Sequence, residues 1–243
     1  MWSPIRRSTS RWCRLGKAAS TIVGVVAAAG YATRLQPLQG SKETLPIHGR
    51  PVMDYVIDRM RLAGCSEVRI VTRPEKTDVV AHAEEIGATV VLAYPATPGE
   101  SFAKGLKGLA ADDIVLIGWP DTLWEPEDGY VPLVQAVESG REIALGLFET
   151  PDLERSDVLS FDDSGQITGI HIKPAQPPSN WIWGCAAARA RALAGLDREE
   201  WPGAFFNSLC QNGVDLYGVP LSNVWLDIGT KEALEQAIAA REV

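Results

Sequence analysis

Short apolar runs alternate with amphipathic stretches along most of this chain, and the alternation predicts an architecture. Residues 21–29 read as a buried strand, with isoleucine and valines and no charge. In residues 51–60, Met53, Val56, Ile57 and Met60 share one helical face, and Gly64 stands where a terminating glycine belongs. Residues 68–71 form a second short strand, closed by Pro74, and 76–86 read as a helix with Gly87 after it. Residues 89–93 are a third strand, closed by Pro95 and Pro98; 99–109 are helical in pattern, and 113–118 are a fourth strand. Strands alternating with helices in this way imply right-handed βαβ units and a mostly parallel sheet. Ligands of such sheets sit at the carboxyl ends of strands. Gly30, residues 95–99 and Trp119-Pro120-Asp121 all follow strands, so they belong on one rim.

The second half is more mixed. Residues 143–148 read as a strand, and 158–161 and 167–170 flank the hairpin turn Asp162-Asp163-Ser164-Gly165. Residues 186–196 are alanine-rich and read as a helix, as do 201–211. Residues 214–219 read as a strand, and Thr230 begins a final helix rich in good formers over 232–241. The fold class expected is α/β, a Rossmann-like three-layer α/β/α arrangement with a mixed, mainly parallel sheet. A flexible basic tail over residues 1–20 precedes a single catalytic domain over 21–243.

That tail carries Arg6, Arg7, Arg11, Arg14 and Lys17 and no acid, and the apolar run 22–29 follows it. The pattern imitates a secretory signal. Cleavage near Ala32, however, would remove the strand that feeds Thr33-Arg34-Leu35, so the tail reading is preferred. No run reaches the roughly 18 apolar residues of a membrane span. The net charge of −8 lacks the basic footprint of a nucleic-acid binder, although it says nothing against a phosphorylated ligand. Cys13, Cys65, Cys185 and Cys210 show no C-x-x-C spacing, which suits thiols of a reducing, cytoplasmic compartment. His48, His82 and His171 share no metal-ligand spacing and read as structural or surface residues.

The candidate chemistry starts where the first strand stops. Ala28-Ala29-Gly30-Tyr31-Ala32-Thr33-Arg34-Leu35 is a small-residue loop whose backbone N–H groups can approach an anion. Arg34 and Lys42 supply positive charge for phosphates. A dinucleotide fingerprint fails, because Ala32 and Leu35 stand where glycines are required. A P-loop around Gly16-Lys17 fails as well, with Arg11 and Ala18 in place of the first glycine and the hydroxyl. Asp121 and Asp227 each follow an apolar run and precede a turn. Two such carboxylates beside a phosphate loop suit Mg²⁺, which takes one or two carboxylates together with phosphate oxygens.

Taken in order, these segments resemble the sugar-1-phosphate nucleotidyltransferase family, most of all its glucose-1-phosphate thymidylyltransferase-like members in a short form. The family pattern of alanine-alanine-glycine, any residue, glycine-threonine-arginine-leucine is similar to residues 28–35, with Ser41-Lys42 and Leu45-Pro46-Ile47 after it. Thr97-Pro98-Gly99 resembles the segment that contacts the base, and Pro120-Asp121-Thr122 the glycine-aspartate-asparagine metal site. Ile172-Lys173-Pro174 resembles a glutamate-lysine-proline, Ser179-Asn180 and Gly184 the sugar-side strand, and residues 225–230 a tryptophan-x-aspartate-x-glycine-threonine.

The resemblance implies a reaction. A sugar-1-phosphate oxygen attacks the α-phosphorus of a nucleoside triphosphate in line, and pyrophosphate leaves. It implies Arg34, Lys42 and Lys173 as catalytic residues, with Arg34 on the triphosphate, Lys42 near the α-phosphate and Lys173 on the sugar's phosphate. Ala29, Gly30, Ala32, Thr33, Arg34, Pro98 and Gly99 would bind nucleotide, with dTTP or UTP favoured. Asp157, Lys173, Asn180, Trp183 and Gly184 would bind the acceptor, and Asp121 and Asp227 would carry Mg²⁺. The partners expected are these two substrates, without nucleic acid or membrane; homo-oligomerisation stays open. The departures are Ala32 for a glycine, Ile172 for a sugar-binding glutamate, Asp157 for a glycine, and a missing acidic motif between Gly184 and Trp225. They leave two rivals: transfer to another phosphorylated acceptor such as phosphocholine or a heptose phosphate, and a non-catalytic domain that binds nucleotide sugars. Paired indoles at Trp181 and Trp183 suit either a sugar face or a cation.

Overall fold

A computed structural model of the chain describes residues 20–240 apart from 152, 154 and 155. The expected basic tail, with Cys13, lies outside the described residues except for Ser20. The first half runs β1 (Ile22–Ala27), β2 (Pro46–Ile47), β3 (Arg50–Pro51), α1 (Met53–Leu62), β4 (Glu67–Thr72), α2 (Thr77–Glu85) and β5 (Thr89–Leu92). It continues through α3 (Pro98–Gly105), β6 (Ile114–Gly118), β7 (Thr122–Trp124) and α4 (Tyr130–Glu138). The second half is β8 (Ile143–Glu149), β9 (Asp157–Phe161), β10 (Ile167–Ile172), β11 (Trp181–Arg189), α5 (Pro202–Gln211), β12 (Leu216–Ser222), β13 (Trp225–Asp227) and α6 (Lys231–Ala239).

Nine strands form one mixed sheet. β1 lies between β4 and β6, parallel to both, and β5 extends the parallel half beyond β4. β11 then runs antiparallel between β6 and β8, and β12 closes the far edge parallel to β8. The predicted hairpin is present as β9 and β10, and β9 meets β11 at Ile182. Two apolar layers cover the sheet. α1, α2 and α4 pack on one face through Met53, Val56, Ile57, Met60, Val79 and Leu133, while α3 and α5 pack on the other through Phe102 and Phe206. The four α1 side chains singled out from the sequence are all fully buried or nearly so. Each is worth roughly 1.5–3 kcal/mol against exposure, more than any helix-propensity difference in that segment.

Two expectations need correction. Residues 186–196 are not a helix. Residues 186–189 end strand β11, and only the short 3₁₀ segment Ala190–Leu193 follows. Cys185 and Ala187 point into one apolar layer, and Ala186 and Ala188 into the other. A central strand with both faces covered needs small side chains there, and burial overrides the helix preference of alanine. Helix α4 was not foreseen, although Tyr130, Leu133, Val134 and Val137 show helical spacing and are buried.

The sheet meets α1 and α4 most closely at Gly118. A Cβ there would stand 2.5 Å from Val56 Cγ2 and 2.6 Å from both Met60 Cε and Tyr130 Oη. Gly118→Ala is expected to lower stability by about 1–3 kcal/mol. A urea midpoint equal to wild type would contradict this packing.

Candidate active site

The site is built around a two-stranded ribbon. β7 and β13 pair antiparallel, with Asp227 opposite Thr122, and Ile228 N–H donates to the Asp121 carbonyl at 2.8 Å. The ribbon leaves the carboxyl end of β6, so it brings two carboxylates from distant parts of the chain to one corner of the sheet rim. Asp121 is buried, and Lys42 Nζ donates to its Oδ2. Burial alone would lower the Lys42 pKa, but Asp121, then Glu43 and Asp227, outweigh it and hold the ammonium above its ordinary range. Arg34 closes the corner. A Cβ at Gly229 would stand 2.8 Å from Arg34 Nη2 and 3.3 Å from Asp227 Oδ2, so guanidinium and carboxylate both lie on the bare Cα.

The loop after β1 carries the other groups expected to face phosphate. Gly30 has nothing within 4 Å of where a Cβ would be, so its backbone is open to a ligand. Ala32 holds φ 52 and ψ 41, the left-handed conformation for which glycine is the usual residue. Alanine here holds a glycine-like backbone shape at a conformational cost. Arg73 ties the loop to the next one along the rim: Nε donates to the Ala29 carbonyl at 2.9 Å and Nη2 to the Pro95 carbonyl at 2.8 Å. The same guanidinium lies 4.3 Å from the Tyr31 ring centroid.

Lys42 is aimed from behind. Asp78 accepts from Ser41 N–H at 2.7 Å, Ser41 Oγ at 2.8 Å and Thr44 Oγ1 at 2.8 Å. Burial would raise the Asp78 carboxyl, but these donors outweigh it and draw it down to about 2. Glu43 is fully buried and pairs with Lys76 Nζ at 2.7 Å, and Lys76 also donates to the Ala28 carbonyl at 2.9 Å. Burial pushes Glu43 upward against the pull of Lys76 and Lys42. Arg73, Glu43, Lys76 and Asp78 escaped the reading of the sequence, because each acts through backbone or through a neighbour and matches no short motif.

The residues expected on the acceptor side gather on the same rim because β10 ends beside the start of β9, where Ile172 pairs with Asp157. Lys173 follows at φ 42, another left-handed non-glycine residue, and its Nζ lies 4.6 Å from the Trp201 ring centroid. Burial pushes the Asp157 carboxyl up, while the Trp183 indole N–H and Lys173 favour its charged form. Trp119 stands 6.1 Å from Trp183, which meets Phe206 edge-on at 5.2 Å. One cleft of about 1240 Å³ runs past Ala29, Gly30, Ala32, Thr33, Arg34, Lys42, Pro98, Asp121, Asp157, Lys173, Trp183 and Asp227.

Three expected site residues lie elsewhere. Asn180 directs its amide to Glu149 and does not line the cleft. Gly184 is covered by the Trp225 ring, which a Cβ would strike. Gly99 backs onto the Glu199 and Leu196 carbonyls, and its N–H donates to the Glu200 carbonyl at 3.2 Å. Gly99 and Gly184 sit next to the cleft residues Pro98 and Trp183 in sequence, which is why a motif draws them in. Trp119, Trp201 and Trp225 line the cleft without having been assigned to it.

The donor set fits Mg²⁺. Asp121 and Asp227 both line the cleft and offer hard oxygens, and a cation that keeps water and phosphate ligands needs no more protein carboxylates. Among the described residues no cluster of three or more histidine, cysteine or acidic ligands occurs that would suit a dedicated protein cage.

The family model described as MobA-like NTP transferase domain matches residues 24–196. The chain is 25% identical over 233 residues to the low-salt glycan biosynthesis nucleotidyltransferase Agl11 of Haloferax volcanii, covering 88% of this chain and 64% of that protein. It thus spans a little under two thirds of that relative. It is 25% identical over 232 residues to the glucose-1-phosphate thymidylyltransferase of Neisseria meningitidis, covering 88% and 80%. Among solved structures, a Bacillus anthracis protein provisionally described as a glucose-1-phosphate thymidylyltransferase superposes with TM-score 0.78 at 20% identity, covering 92% of this chain and 96% of that one. The UDP-glucose pyrophosphorylase of Acinetobacter baumanii superposes with TM-score 0.74 at 17% identity, covering 90% and 92%. These two likenesses establish the nucleotidyltransferase fold. No helix among the described residues is long and apolar enough to cross a membrane.

Two outcomes follow from the loop geometry. Ala32→Gly removes a left-handed backbone cost of roughly 1–2 kcal/mol and adds about 0.4–1 kcal/mol of unfolded-chain entropy. A net gain of about 0.5–1 kcal/mol is expected, read as a higher Tm; a lower Tm would count against the strain. The Asp78 pKa is depressed on folding, so its stabilising contribution is complete above about pH 4 and is lost as pH falls toward about 2. Asp78→Asn should therefore flatten the acid limb of the stability profile between those limits. An unchanged limb would show that the Ser41 and Thr44 bonds contribute nothing there.

Proposed function

This chain belongs to the MobA-like NTP transferase domain family, and from that premise we propose that it transfers a nucleoside monophosphate from a nucleoside triphosphate to a sugar-1-phosphate. The observation that carries the reading is the placement of Arg34, Lys42, Asp121 and Asp227 on one rim, with Lys173 in the same cleft. The cleft exceeds the 300–1,000 Å³ of an ordinary single-ligand pocket, which suits two substrates held together. The donor we favour is dTTP or UTP, a preference supported by relatives named for thymidylyl and UDP-glucose chemistry.

The acceptor phosphate is ionised near neutral pH and needs no general base. Its oxygen forms a bond to the α-phosphorus while the bond from that phosphorus to the bridging oxygen of pyrophosphate breaks. The electron pair leaves with pyrophosphate. The protein's part is positioning and charge neutralisation. Backbone around Gly30 cradles phosphate oxygens, and Arg34 takes the charge that accumulates on the leaving group. Lys42 presents its ammonium to the α-phosphate from its seat on Asp121. Lys173 holds the acceptor phosphate. Asp121 and Asp227 hold Mg²⁺, which supplies further neutralisation of phosphate charge when bound.

Asp121→Asn and Asp227→Asn are each expected to lower Mg²⁺-dependent turnover at least 100-fold, about 2.7 kcal/mol, with the circular dichroism of a folded protein; Asp121→Asn also gives up the ion pair with Lys42 and is expected to lower Tm. Wild-type rates in both would remove the metal assignment. A pyrophosphate-release screen of dTTP, UTP, CTP, ATP and GTP against a panel of sugar-1-phosphates is expected to give release with dTTP or UTP. Phosphocholine belongs in the panel because indoles line the acceptor half, and release with it alone would move the acceptor to that class. Absence of release with every pair would favour a binding domain instead.

A further inference from the structure

The segment 196–203 touches both halves of the cleft. Toward the nucleotide side, the Leu196 and Glu199 carbonyls lie against Gly99, and Glu200 accepts the Gly99 N–H at 3.2 Å, directly beside Pro98. Toward the acceptor side, Asp157 Oδ2 lies against the bare Cα of Gly203, where a Cβ would collide with it. Between these anchors stands Trp201, immediately before Pro202 opens α5. Its backbone is fixed from both ends. Trp201 nevertheless remains 41% exposed and lines the cleft, so its ring face is available to a neighbour there.

Lys173 uses it. The ammonium sits 4.6 Å from the ring centroid, within the range of a cation–π contact. The Lys173 backbone is held at φ 42, a left-handed conformation that persists where the surroundings over-determine it. Lysine is otherwise a point charge on a flexible stem, with about four rotatable bonds to immobilise. A lysine that must meet a phosphate at one place gains from a fixed partner that does not compete for its hydrogen bonds. The face of an indole attracts the charge without the conventional acceptor atoms of a carboxylate, and the nearby Asp157 carboxyl acts on the same charge.

We propose that Trp201 is a positioning residue for the acceptor phosphate: its ring holds the Lys173 ammonium at the cleft, ready for a phosphoryl group. The proposal rests on the transfer reading for its kinetic consequence, but the contact itself is a property of the free protein, and the test separates the two. Trp201→Ala, Trp201→Phe, Lys173→Ala and the double variant Trp201→Ala/Lys173→Ala are compared with wild type by steady-state pyrophosphate release and by thermal unfolding.

Trp201→Ala should raise KM for the sugar-1-phosphate about fivefold, the size of an exposed cation–π contact, with KM for the triphosphate unchanged. Trp201→Phe, which keeps an aromatic face, should restore most of the loss. The double variant should be no worse than Lys173→Ala, and its Tm loss should be smaller than the two single losses together. An unchanged acceptor KM in Trp201→Ala, an equal rise in both KM values, or additive single effects would overturn the proposal. If wild type releases no pyrophosphate with any pair, the transfer reading falls, and the Tm comparison alone decides. Additive losses then overturn the Trp201–Lys173 contact, and non-additive losses sustain it.

Discussion

Two carboxylates placed side by side at one corner of a sheet repel each other, and the arrangement holds only if positive charge stands with them. The β7–β13 ribbon forces Asp121 and Asp227 together, and the 3₁₀ turn that carries Lys42 supplies the compensating ammonium. Much of the surrounding structure holds that ammonium in place. Glu43 is buried next to Lys42 and would itself need neutralising, and Lys76 does so while anchoring to the end of β1 through Ala28. Asp78 fastens the loop from the opposite side through Ser41 and Thr44. The result is a relay of alternating charges running inward from the cleft. Phosphate chemistry benefits because the positive groups are held in position before any substrate arrives.

The same relay explains what a reader of the sequence could and could not see. The apolar run of β1, the small-residue loop, Arg34, Lys42 and the two aspartates are local patterns tied to backbone shape or ligand chemistry; β1 is buried in the core, and the loop, the two cations and the two aspartates line one cleft. Arg73, Lys76 and Asp78 do their work by bonding to groups distant in sequence, such as Ala29 and Ala28 for the two cations. Nothing in their immediate neighbours announces that. Gly99 and Gly184 show the reverse error. Each belongs to a recognisable motif, but its lack of a side chain makes room for packed backbone or a tryptophan ring and does not serve the ligand.

Secondary structure divides along similar lines. The parallel half was legible because each strand is a short apolar run closed by glycine or proline and separated by helices of ordinary length. The run at residues 185–188 was misread because alanine carries a strong helix preference and almost no periodic signal. Its strand character shows only when its two covered faces are seen, with Cys185 and Ala187 in one layer and Ala186 and Ala188 in the other. Helix α4 could have been found from the spacing of Tyr130, Leu133, Val134 and Val137; Pro132 in its first turn is compatible with a helix start and not a sign of a loop.

The two halves of the cleft spend backbone strain differently. On the nucleotide side, Ala32 takes the left-handed shape that a glycine would adopt freely, so the loop keeps its form with less conformational freedom. On the acceptor side, Lys173 takes the same unusual region, but its side chain carries a charge whose direction matters. A left-handed residue in a turn after β10 aims that side chain across the rim toward α5, and Trp201 is there to receive it. Ile172 before this lysine and Asp157 beside it are the departures from the expected motif, and the charge of Lys173 lies in the cleft with Asp157. Around that charge stand a carboxyl raised by burial and the indoles of Trp119, Trp183 and Trp201. On the proposed transfer reading, selectivity on that side would depend on the shape and faces of the acceptor more than on its hydroxyl pattern, with the phosphate as the common handle.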